Sequence, residues 1–260
     1  MSGQVLLNCS GGVAQVTMSH PGKFNAMSRA MWRELRDVFD SIQQRNEVYC
    51  VLIQGENGHF CAGGDISEYA SFRFEEASLR GFHENEVWGG LQAMLDCDVP
   101  IVAQIEGNCM GAGVEIACCC DIRIAAESAR FGAPIAKLGF PMAPREAALV
   151  MRAVGELTAR EMLLSAAVLD AAEMKLRGFL NQVLAVAELD SAVQQRISLI
   201  SQLAPLAARL NKASFRAVAQ LLPAQAAIEL IANAYDYATS GEHREGIAAF
   251  LEKRPPRFGR

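Results

Sequence analysis

Two apolar strands, each followed by a glycine-bearing loop, constrain the fold of this chain most strongly. Residues 48–53 and 100–105 are short, continuous apolar runs, which are typical of strands buried on both faces of a parallel sheet. Glycine-rich loops follow at 61–65 and 107–115, and each loop leads towards a helical segment. Because strand, loop and helix repeat in this order, the sequence predicts an α/β fold.

The N-terminal half also contains a predicted hairpin and a long helix. Alternating strands at 5–8 and 13–18 flank a glycine turn. Ser28 is placed to cap a helix that runs to Gln44, since the apolar residues after it share one helical face. By contrast, residues 68–81 mix charges with weak periodicity, which predicts a mobile or variable surface segment.

The strand signal almost vanishes after about residue 140. The remaining chain shows helical periodicity with wide apolar faces, typical of helices that cap a core or pack against another subunit. The predicted helices cover 156–166, 171–177, 191–203, 205–221 and 224–239. No low-complexity linker interrupts the chain, so we predict one continuous unit with a core, residues 1–195, and a helical C-terminal region, residues 196–260.

Composition and charge exclude several classes of protein. With 51% hydrophobic and 20% charged residues, a chain of 260 residues is neither disordered nor fibrous. Its net charge of 24 − 29 = −5 is opposite in sign to that of a nucleic-acid-binding surface. No apolar run is long enough to span a membrane, and no signal peptide is recognised. We therefore expect a cytoplasmic protein with no nucleic-acid or membrane partner.

The eight cysteines do not form a recognisable disulfide or zinc pattern. Cys118, Cys119 and Cys120 are consecutive within an apolar segment, and adjacent cysteines rarely satisfy disulfide geometry. No Cys-x-x-Cys pair occurs, which argues against a zinc ribbon or a thioredoxin motif. We predict reduced, buried thiols and no metal site.

The two glycine loops have a plausible chemical use. Glycine allows backbone N–H groups to point outward, and a helix N-terminus offers further N–H donors without partners. Two such donors directed at one point would form an oxyanion hole, although either loop alone is equally compatible with a simple tight turn. The second loop is a poor dinucleotide fingerprint because Ile116 replaces the third glycine, and neither loop has the Gly-Lys of a P-loop.

Glu115 is the candidate acid of this region. It lies three residues after Ala112, so its side chain and the Ala112 N–H can face the same side of the helix. Its apolar neighbours predict a desolvated carboxyl with a raised pKa, which suits proton transfer. The alternative is a carboxylate that only stabilises the first helical turn.

A series of motifs extends over nearly the whole chain in a fixed order. They are His-Pro-x-x-x-Asn-Ala-Met at 20–27, Phe-Cys-Ala-Gly-Gly-Asp-Ile at 60–66, the loop 107–115 with Cys-Asp-Ile-Arg at 120–123, Phe-Gly-x-Pro at 131–134 with Leu-Gly at 138–139, and Glu-Gly-x-x-Ala-Phe-Leu-Glu-Lys-Arg at 245–254. This ordered set resembles the crotonase superfamily, the enoyl-CoA hydratase/isomerase family.

The resemblance implies an α/β fold built as a crotonase-like spiral of ββα units with a helical C-terminal trimerisation region. It implies an acyl-CoA thioester as substrate, an enolate held by the N–H groups of Gly64 and Ala112, and Glu115 as general acid/base. Coenzyme A enters as part of the substrate, no separate cofactor is implied, and the assembly is a homotrimer or a dimer of trimers. The residues implied to bind CoA or substrate are Met27, Ala62, Gly63, Asp65, Ile66, Phe250 and Lys253.

The sequence departs from the family pattern after Pro134. Family hydratases resemble one another in a second glutamate there, and this chain has Ile135. Met142 stands where some related decarboxylases have tyrosine, and Glu146 could supply a substitute carboxyl, although a surface Arg145–Glu146 pair is the favoured interpretation. We expect an enoyl-CoA hydratase/isomerase-like enzyme, with a decarboxylase of a malonyl-CoA-like thioester or a non-catalytic acyl-CoA-binding protein as alternatives.

Overall fold

Two sheets and the helices around them confirm the α/β prediction. The computed structural model describes residues 2–219 and 235–256. The larger sheet has, in spatial order, β1 (Gln4–Ser10), β2 (Val13–Ser19), β3 (Cys50–Gly55), β4 (Ile101–Ile105), β6 (Ile122–Ala126) and β9 (Gln182–Leu184). The smaller sheet has β5 (Asn108–Met110), β7 (Arg130–Gly132) and β8 (Val168–Asp170). Strands β2, β3, β4, β6 and β9 are parallel, whereas β1 pairs antiparallel with β2.

The described helices lie between these strands and after the last of them. They are α1 (Arg29–Gln43), α2 (Glu76–Gly81), α3 (Trp88–Asp96), α4 (Ala112–Cys118), α5 (Pro144–Val154), α6 (Glu156–Leu164), α7 (Ala171–Leu176), α8 (Val186–Ser201), α9 (Pro205–Ala219) and α10 (Gly241–Leu251). Short 3₁₀ turns occur at Ile66–Ser71, Ile135–Leu138 and Asp236–Thr239, and a π-helical turn occurs at Phe82–Val87.

The N-terminal helix forms for the reason its sequence indicates. The Ser28 hydroxyl accepts a hydrogen bond from the Met31 N–H at 3.2 Å, which satisfies one of the free donors of the first turn. Leu35, Phe39 and Ile42 lie on one buried face of α1. The predicted hairpin of β1 and β2 is likewise confirmed.

The C-terminal half contains strands that the sequence analysis missed. Strands β8 and β9 lie beyond residue 140 and contradict the expectation of helices alone. Each has only three residues, too few for an alternating pattern to be detected. The predicted helices at 156–166 and 171–177 correspond to α6 and α7, whereas most of the helix predicted at 224–239 lies outside the described residues.

The segment 68–81 is a surface segment only in part: residues 70–71 and 75–78 are exposed, whereas four large side chains are buried. Tyr69, Phe72, Arg73 and Leu79 are all buried. A 3₁₀ turn followed by the six-residue helix α2 gives no sustained period, which explains why the burial could not be detected from the pattern. Of these residues, Tyr69 and Arg73 line the cavity described below.

The C-terminal helices α8, α9 and α10 all pack onto the core, α9 through a hydrogen bond from Lys212 to the Val99 carbonyl. Helix α8 covers the larger sheet with Leu189, Val193 and Ile197. Helix α10 packs against the 3₁₀ turn Ile135–Leu138, where Gly246 lies so close that a Cβ would overlap the Leu138 backbone. The division proposed at residue 195 stays a prediction; that residue lies inside α8. Within the described ranges, no helix combines the length and apolarity needed to cross a bilayer.

Candidate active site

The two glycine loops lie side by side because their backbones are hydrogen-bonded to one another. The Cys61 N–H donates to the Asn108 carbonyl at 2.8 Å, and the Met110 N–H donates to the Cys61 carbonyl at 2.8 Å. A Cβ on Gly113 would lie 2.6 Å from the Cys61 carbonyl oxygen. Glycine is therefore required at that position for the close approach of the two loops.

Met27 and Asp65, two of the predicted binding residues, form backbone hydrogen bonds that fix the conformation of the first loop. The Met27 N–H donates to the Gly63 carbonyl and the Asp65 N–H donates to the Met27 carbonyl, both at 2.8 Å. Burial opposes ionisation of Asp65, but hydrogen bonds from Lys23 and Ser67 outweigh it and keep the Asp65 pKa below its ordinary value. The structure therefore places Met27 and Asp65 as loop anchors that do not line the interior cavity.

Several backbone N–H groups of these loops have no acceptor in the described part of the chain. They include those of Gly64 and of Ala112, the first residue of α4, where an N–H has no intrahelical partner. Gly111 turns the chain into α4 with φ of 45°, a conformation that favours glycine. A Cβ on Gly64 would overlap the Tyr69 hydroxyl, so this loop also passes very close to the opposite wall.

A cavity of about 290 Å³ lies in front of these two N–H groups. The predicted site residues that line it are Ala62, Gly63, Gly64, Ile66, Ala112, Glu115, Ile135, Met142, Glu146 and Phe250. Phe250 lies at the rim with 52% of its surface exposed. Lys253 is exposed and lies outside the cavity wall, so its predicted contact with CoA stays a prediction.

Glu115 extends from the first turn of α4 into this cavity. It is 7% exposed, and none of the residues in 2–219 and 235–256 forms a hydrogen bond with its carboxyl group. Burial raises the Glu115 pKa well above its ordinary value; the nearby Glu146 carboxyl adds to this effect, and Arg73 opposes it. The predicted desolvated carboxyl is confirmed.

Glu146 also faces the cavity, so the expectation of a surface Arg145–Glu146 pair is wrong. Glu146 is 3% exposed, whereas Arg145 is largely exposed and forms an ion pair with Glu84 at 3.3 Å. Pro144 begins α5, and consecutive helical positions then point in different directions, one outward and the next inward. Burial raises the Glu146 pKa to about 8, and the positive charge of Arg73 opposes the rise.

The opposite wall contains two polar residues that the sequence analysis missed, Arg73 and His83. Arg73 is 1% exposed, and its guanidinium carbon lies 4.4 Å from the Tyr69 ring centre and 4.0 Å from that of Phe140. The His83 Nδ1 atom lies 2.8 Å from a Glu146 oxygen. No local motif marks either residue, because their partners come from distant parts of the chain.

The cysteines do not line the cavity. Seven of the eight are buried, and all are free thiols. Burial raises the pKa of Cys61 to about 12, so this thiol beside the first loop remains protonated near neutral pH. Among the described side chains, no three His, Cys, Asp or Glu residues are grouped so that they could hold a metal ion.

The chain is similar to known sequences over most of its length. A family model described as enoyl-CoA hydratase/isomerase matches residues 8–260. A probable enoyl-CoA hydratase of Mycobacterium tuberculosis is 31% identical over 247 residues, which cover 95% of this chain and 94% of that protein. The mitochondrial methylglutaconyl-CoA hydratase of Mus musculus is 32% identical over 240 residues, which cover 90% of this chain and 75% of that protein.

Solved structures are similar over the same extent. An enoyl-CoA hydratase/carnithine racemase from Magnetospirillum magneticum superposes with a TM-score of 0.80 at 32% identity, covering 98% of this chain and 95% of that one. A methylmalonyl-CoA decarboxylase in complex with 2-nitronate-propionyl-CoA superposes with a TM-score of 0.87 at 25% identity, covering 100% and 99%. These similarities confirm the fold class that the motifs predict.

Proposed function

Since the chain belongs to the enoyl-CoA hydratase/isomerase family, we propose that it hydrates or isomerises an enoyl-CoA thioester. The observation that supports this most is the position of Glu115, a buried carboxyl in the same cavity as the two uncommitted N–H groups. Proton transfer next to a thioester carbonyl requires this combination, an acid–base group and a place for negative charge.

The N–H groups of Gly64 and Ala112 form the proposed oxyanion hole. When a nucleophile adds at the β-carbon or a proton leaves the α-carbon, negative charge develops on the thioester oxygen. Two donors that are already fixed by backbone hydrogen bonds stabilise that charge without reorganising. The interloop hydrogen bonds at Cys61 and Met110 provide this rigidity.

Glu115 is the proposed general acid/base. Burial raises its pKa, so it holds a proton more readily than an exposed carboxyl and can take up or return one near neutral pH. Because no described residue forms a hydrogen bond with its carboxyl group, its oxygens are available to the substrate. The loop residues Ala62, Gly63 and Ile66 are the proposed contacts for CoA, with Phe250 at the rim and CoA as the only cofactor-like group.

The same family resemblance leads us to propose a homotrimer or a dimer of trimers. Helices α8 and α9 and the turn between them expose a set of large apolar side chains, which are Leu199, Leu203, Leu206, Leu210 and Phe215. Apolar faces of this size favour burial against another subunit. Lys253 would then approach the CoA phosphates of a neighbouring subunit. Sedimentation equilibrium should give a mass three or six times that of the chain, and a stable monomer would contradict the proposal.

A decarboxylase of a malonyl-CoA-like thioester is the second candidate. Ile135 places an apolar side chain where a family hydratase has its second glutamate, and the superposition with methylmalonyl-CoA decarboxylase has a TM-score of 0.87. Loss of carbon dioxide generates the enolate without a base, so the oxyanion hole alone would suffice.

Two parallel assays separate these candidates. Hydration of crotonyl-CoA is followed by the loss of its enoyl-thioester absorbance, and decarboxylation of methylmalonyl-CoA by release of carbon dioxide. The hydratase proposal predicts turnover in the first assay that depends on Glu115. Turnover in the second assay alone would support the decarboxylase, and CoA-thioester binding without turnover in either would support the non-catalytic alternative.

A further inference from the structure

A continuous chain of side-chain contacts leads to Glu146 from the C-terminal region. The Arg73 Nε atom lies 3.2 Å from His243 Nε2, and an Arg73 terminal nitrogen lies 3.4 Å from His83 Nε2. The His83 Nδ1 atom lies 2.8 Å from Glu146 Oε1. His243 belongs to α10, so these contacts connect three separate segments of the chain to one carboxyl group.

The direction of these hydrogen bonds follows from the chemistry of arginine. A guanidinium group can only donate, so both imidazole Nε2 atoms must be acceptors. His83 therefore bears its proton on Nδ1 and donates it to Glu146. His243 is oriented in the same way, since its Nδ1 atom lies 3.2 Å from the Ala238 carbonyl oxygen.

The backbone around His83 supports a specific role for it. His83 lies in the π-helical turn Phe82–Val87, and such turns are frequent at functional sites. The ring is buried, and Tyr235 stacks on it with ring centres 5.6 Å apart. Both imidazole nitrogens are engaged, so the ring is fixed in position and in tautomer.

We propose that Glu146 is the second proton-transfer group of the cavity and that His83 is the positioning residue that orients its carboxyl. The inference rests on the proposed function, because it requires the acyl part of the thioester to occupy this cavity. The carboxyl that is absent at position 135, where the chain has Ile135, is thus supplied from the first turn of α5. Arg73 fixes the tautomer in which His83 bears its proton on Nδ1.

The proton balance of hydration requires such a pair. The water oxygen forms a bond to the β-carbon, and the π electrons of the double bond become the enolate. One carboxylate accepts the proton that water loses, and the other carboxyl donates its proton to the α-carbon. The pair of Glu115 and Glu146 therefore holds the same number of protons before and after the reaction, and exchange with solvent restores the starting arrangement.

Several charged groups surround Glu146, and together they decide its pH response. Arg73 favours the ionised form, whereas Glu84 disfavours it. Glu115 lies on α4, which packs against α5. Ionisation of either Glu115 or Glu146 therefore makes ionisation of the other less favourable. On the other packed helix, α6, the ionisable side chains are exposed; they are Glu156, Arg160 and Glu161. Two further ionisable side chains lie nearby. Lys137 is part of the cavity wall, and Tyr235 stacks on the His83 ring.

The first test compares the two carboxyls directly. Glu146→Gln keeps the size and the hydrogen-bonding capacity of the side chain but cannot exchange a proton. We expect crotonyl-CoA hydration to fall by ~10²–10⁴ in kcat, as for loss of a positioned acid–base group. Affinity for butyryl-CoA, a saturated probe that cannot be hydrated, should stay within about threefold by calorimetry because the CoA contacts remain.

The second test separates positioning by His83 from a merely structural role. In His83→Asn the amide nitrogen replaces Nδ1 and can still donate to Glu146, whereas in His83→Gln the amide lies where Nε2 contacts Arg73 and the donor is lost. Loss of a hydrogen bond to a carboxylate raises its pKa, so His83→Gln should move the acidic limb of the kcat profile to higher pH by about one unit. His83→Asn should keep the limb near its wild-type position.

Glu84→Gln is the matched control, since Glu84 neighbours His83 in sequence and does not line the cavity. Removal of this negative charge should move the same limb slightly to lower pH, opposite to His83→Gln. Thermal unfolding and circular dichroism establish that each variant folds.

The outcomes separate this inference from the proposed function. Loss of hydration in both Glu115→Gln and Glu146→Gln supports both. Loss in Glu115→Gln with a nearly wild-type Glu146→Gln overturns the inference and leaves the proposed function intact. Equal loss of activity in His83→Asn and His83→Gln, with an unmoved limb, overturns the positioning role. A wild-type protein that binds butyryl-CoA but does not hydrate crotonyl-CoA overturns the hydratase form of the proposed function together with this inference.

Discussion

The two sides of the cavity are built in different ways. On one side, backbone N–H groups of the two glycine loops face the interior, and backbone hydrogen bonds at Cys61 and Met110 fix their positions. On the other side, side chains face the interior, and other side chains hold them, as in the contacts from Arg73 to His83 and on to Glu146. The first side, called the loop side here, therefore depends on backbone geometry. The second side, called the far wall, depends on the identity of each side chain.

This difference has a consequence for substitutions. A side-chain change on the loop side should matter only where it alters the backbone or removes Glu115, the one acid–base group there. On the far wall a single side-chain change should propagate to the next partner, because each hydrogen-bond direction depends on its neighbour. The predictions below compare the two sides, beginning with the largest expected effect.

Removal of the Glu115 acid should have the largest effect. Glu115→Gln should lower kcat for crotonyl-CoA hydration by ~10²–10⁴ while leaving the affinity for butyryl-CoA nearly unchanged. Its carboxyl forms no hydrogen bond with a described residue, so the substitution breaks none in the described part of the chain. A silent Glu115→Gln on every thioester tested would show that only the oxyanion hole contributes to catalysis.

Removal of one backbone donor tests the loop side itself. Ala112 is the first residue of α4, a position where proline is tolerated, so Ala112→Pro removes the N–H with little cost to the helix. We expect a loss of ~10²–10³ in kcat. Ala112→Gly keeps the N–H and is the matched control. Equal activity of the two variants would contradict the oxyanion-hole assignment.

A carboxyl at position 135 sharpens the comparison between the two walls. Ile135 lines the cavity, so Ile135→Glu should raise crotonyl-CoA hydration, and most clearly in the Glu146→Gln background, by about tenfold. The gain arises because the new side chain restores the second acid–base group. Steady-state rates of the single and double variants measure it. No gain in either background would show that hydration in this cavity is not limited by a second carboxyl.

The last prediction concerns the pH dependence of stability, which should report the buried Glu146 carboxyl of the far wall. The Glu146 pKa rises to about 8 in the folded chain, so the folded state holds the proton longer than the unfolded state. The free energy of unfolding should therefore be greatest below the unfolded carboxyl pKa and decrease as the pH rises from there through about 8, by on the order of 1 kcal/mol for each pH unit. Urea denaturation of wild type and Glu146→Gln across this range measures the effect: the variant should lose the contribution of Glu146 and keep that of Glu115, whose pKa is also raised.

The two sides also differ in how much the sequence could predict. The loop side is local: Gly64, Ala112 and Glu115 lie in short motifs where strand, glycine and helix signals follow one another. The hairpin and the Ser28 cap are local in the same sense and were predicted correctly.

The far wall is made of long-range contacts, which periodicity does not encode. His83 and Glu146 are 63 positions apart, and Arg73 and His243 are 170 apart. Arg73 also lies in a segment whose charges indicated a surface, because an arginine buried between aromatic rings has no distinctive local pattern. The sequence marks Glu146 as a candidate carboxyl, but an Arg-Glu pair in a first helical turn more often lies at the surface, which favours the wrong interpretation.

The most direct test of the central claim is exchange of the α-protons of butyryl-CoA with deuterium oxide, followed by proton NMR. This reaction needs only an enolate held by the N–H groups of Gly64 and Ala112 and a base to move the proton, so it does not depend on identification of the natural acyl group. We predict exchange by the wild-type protein and its loss in Glu115→Gln and Ala112→Pro. Binding of butyryl-CoA without exchange, or exchange that is unaffected by either substitution, would contradict the account.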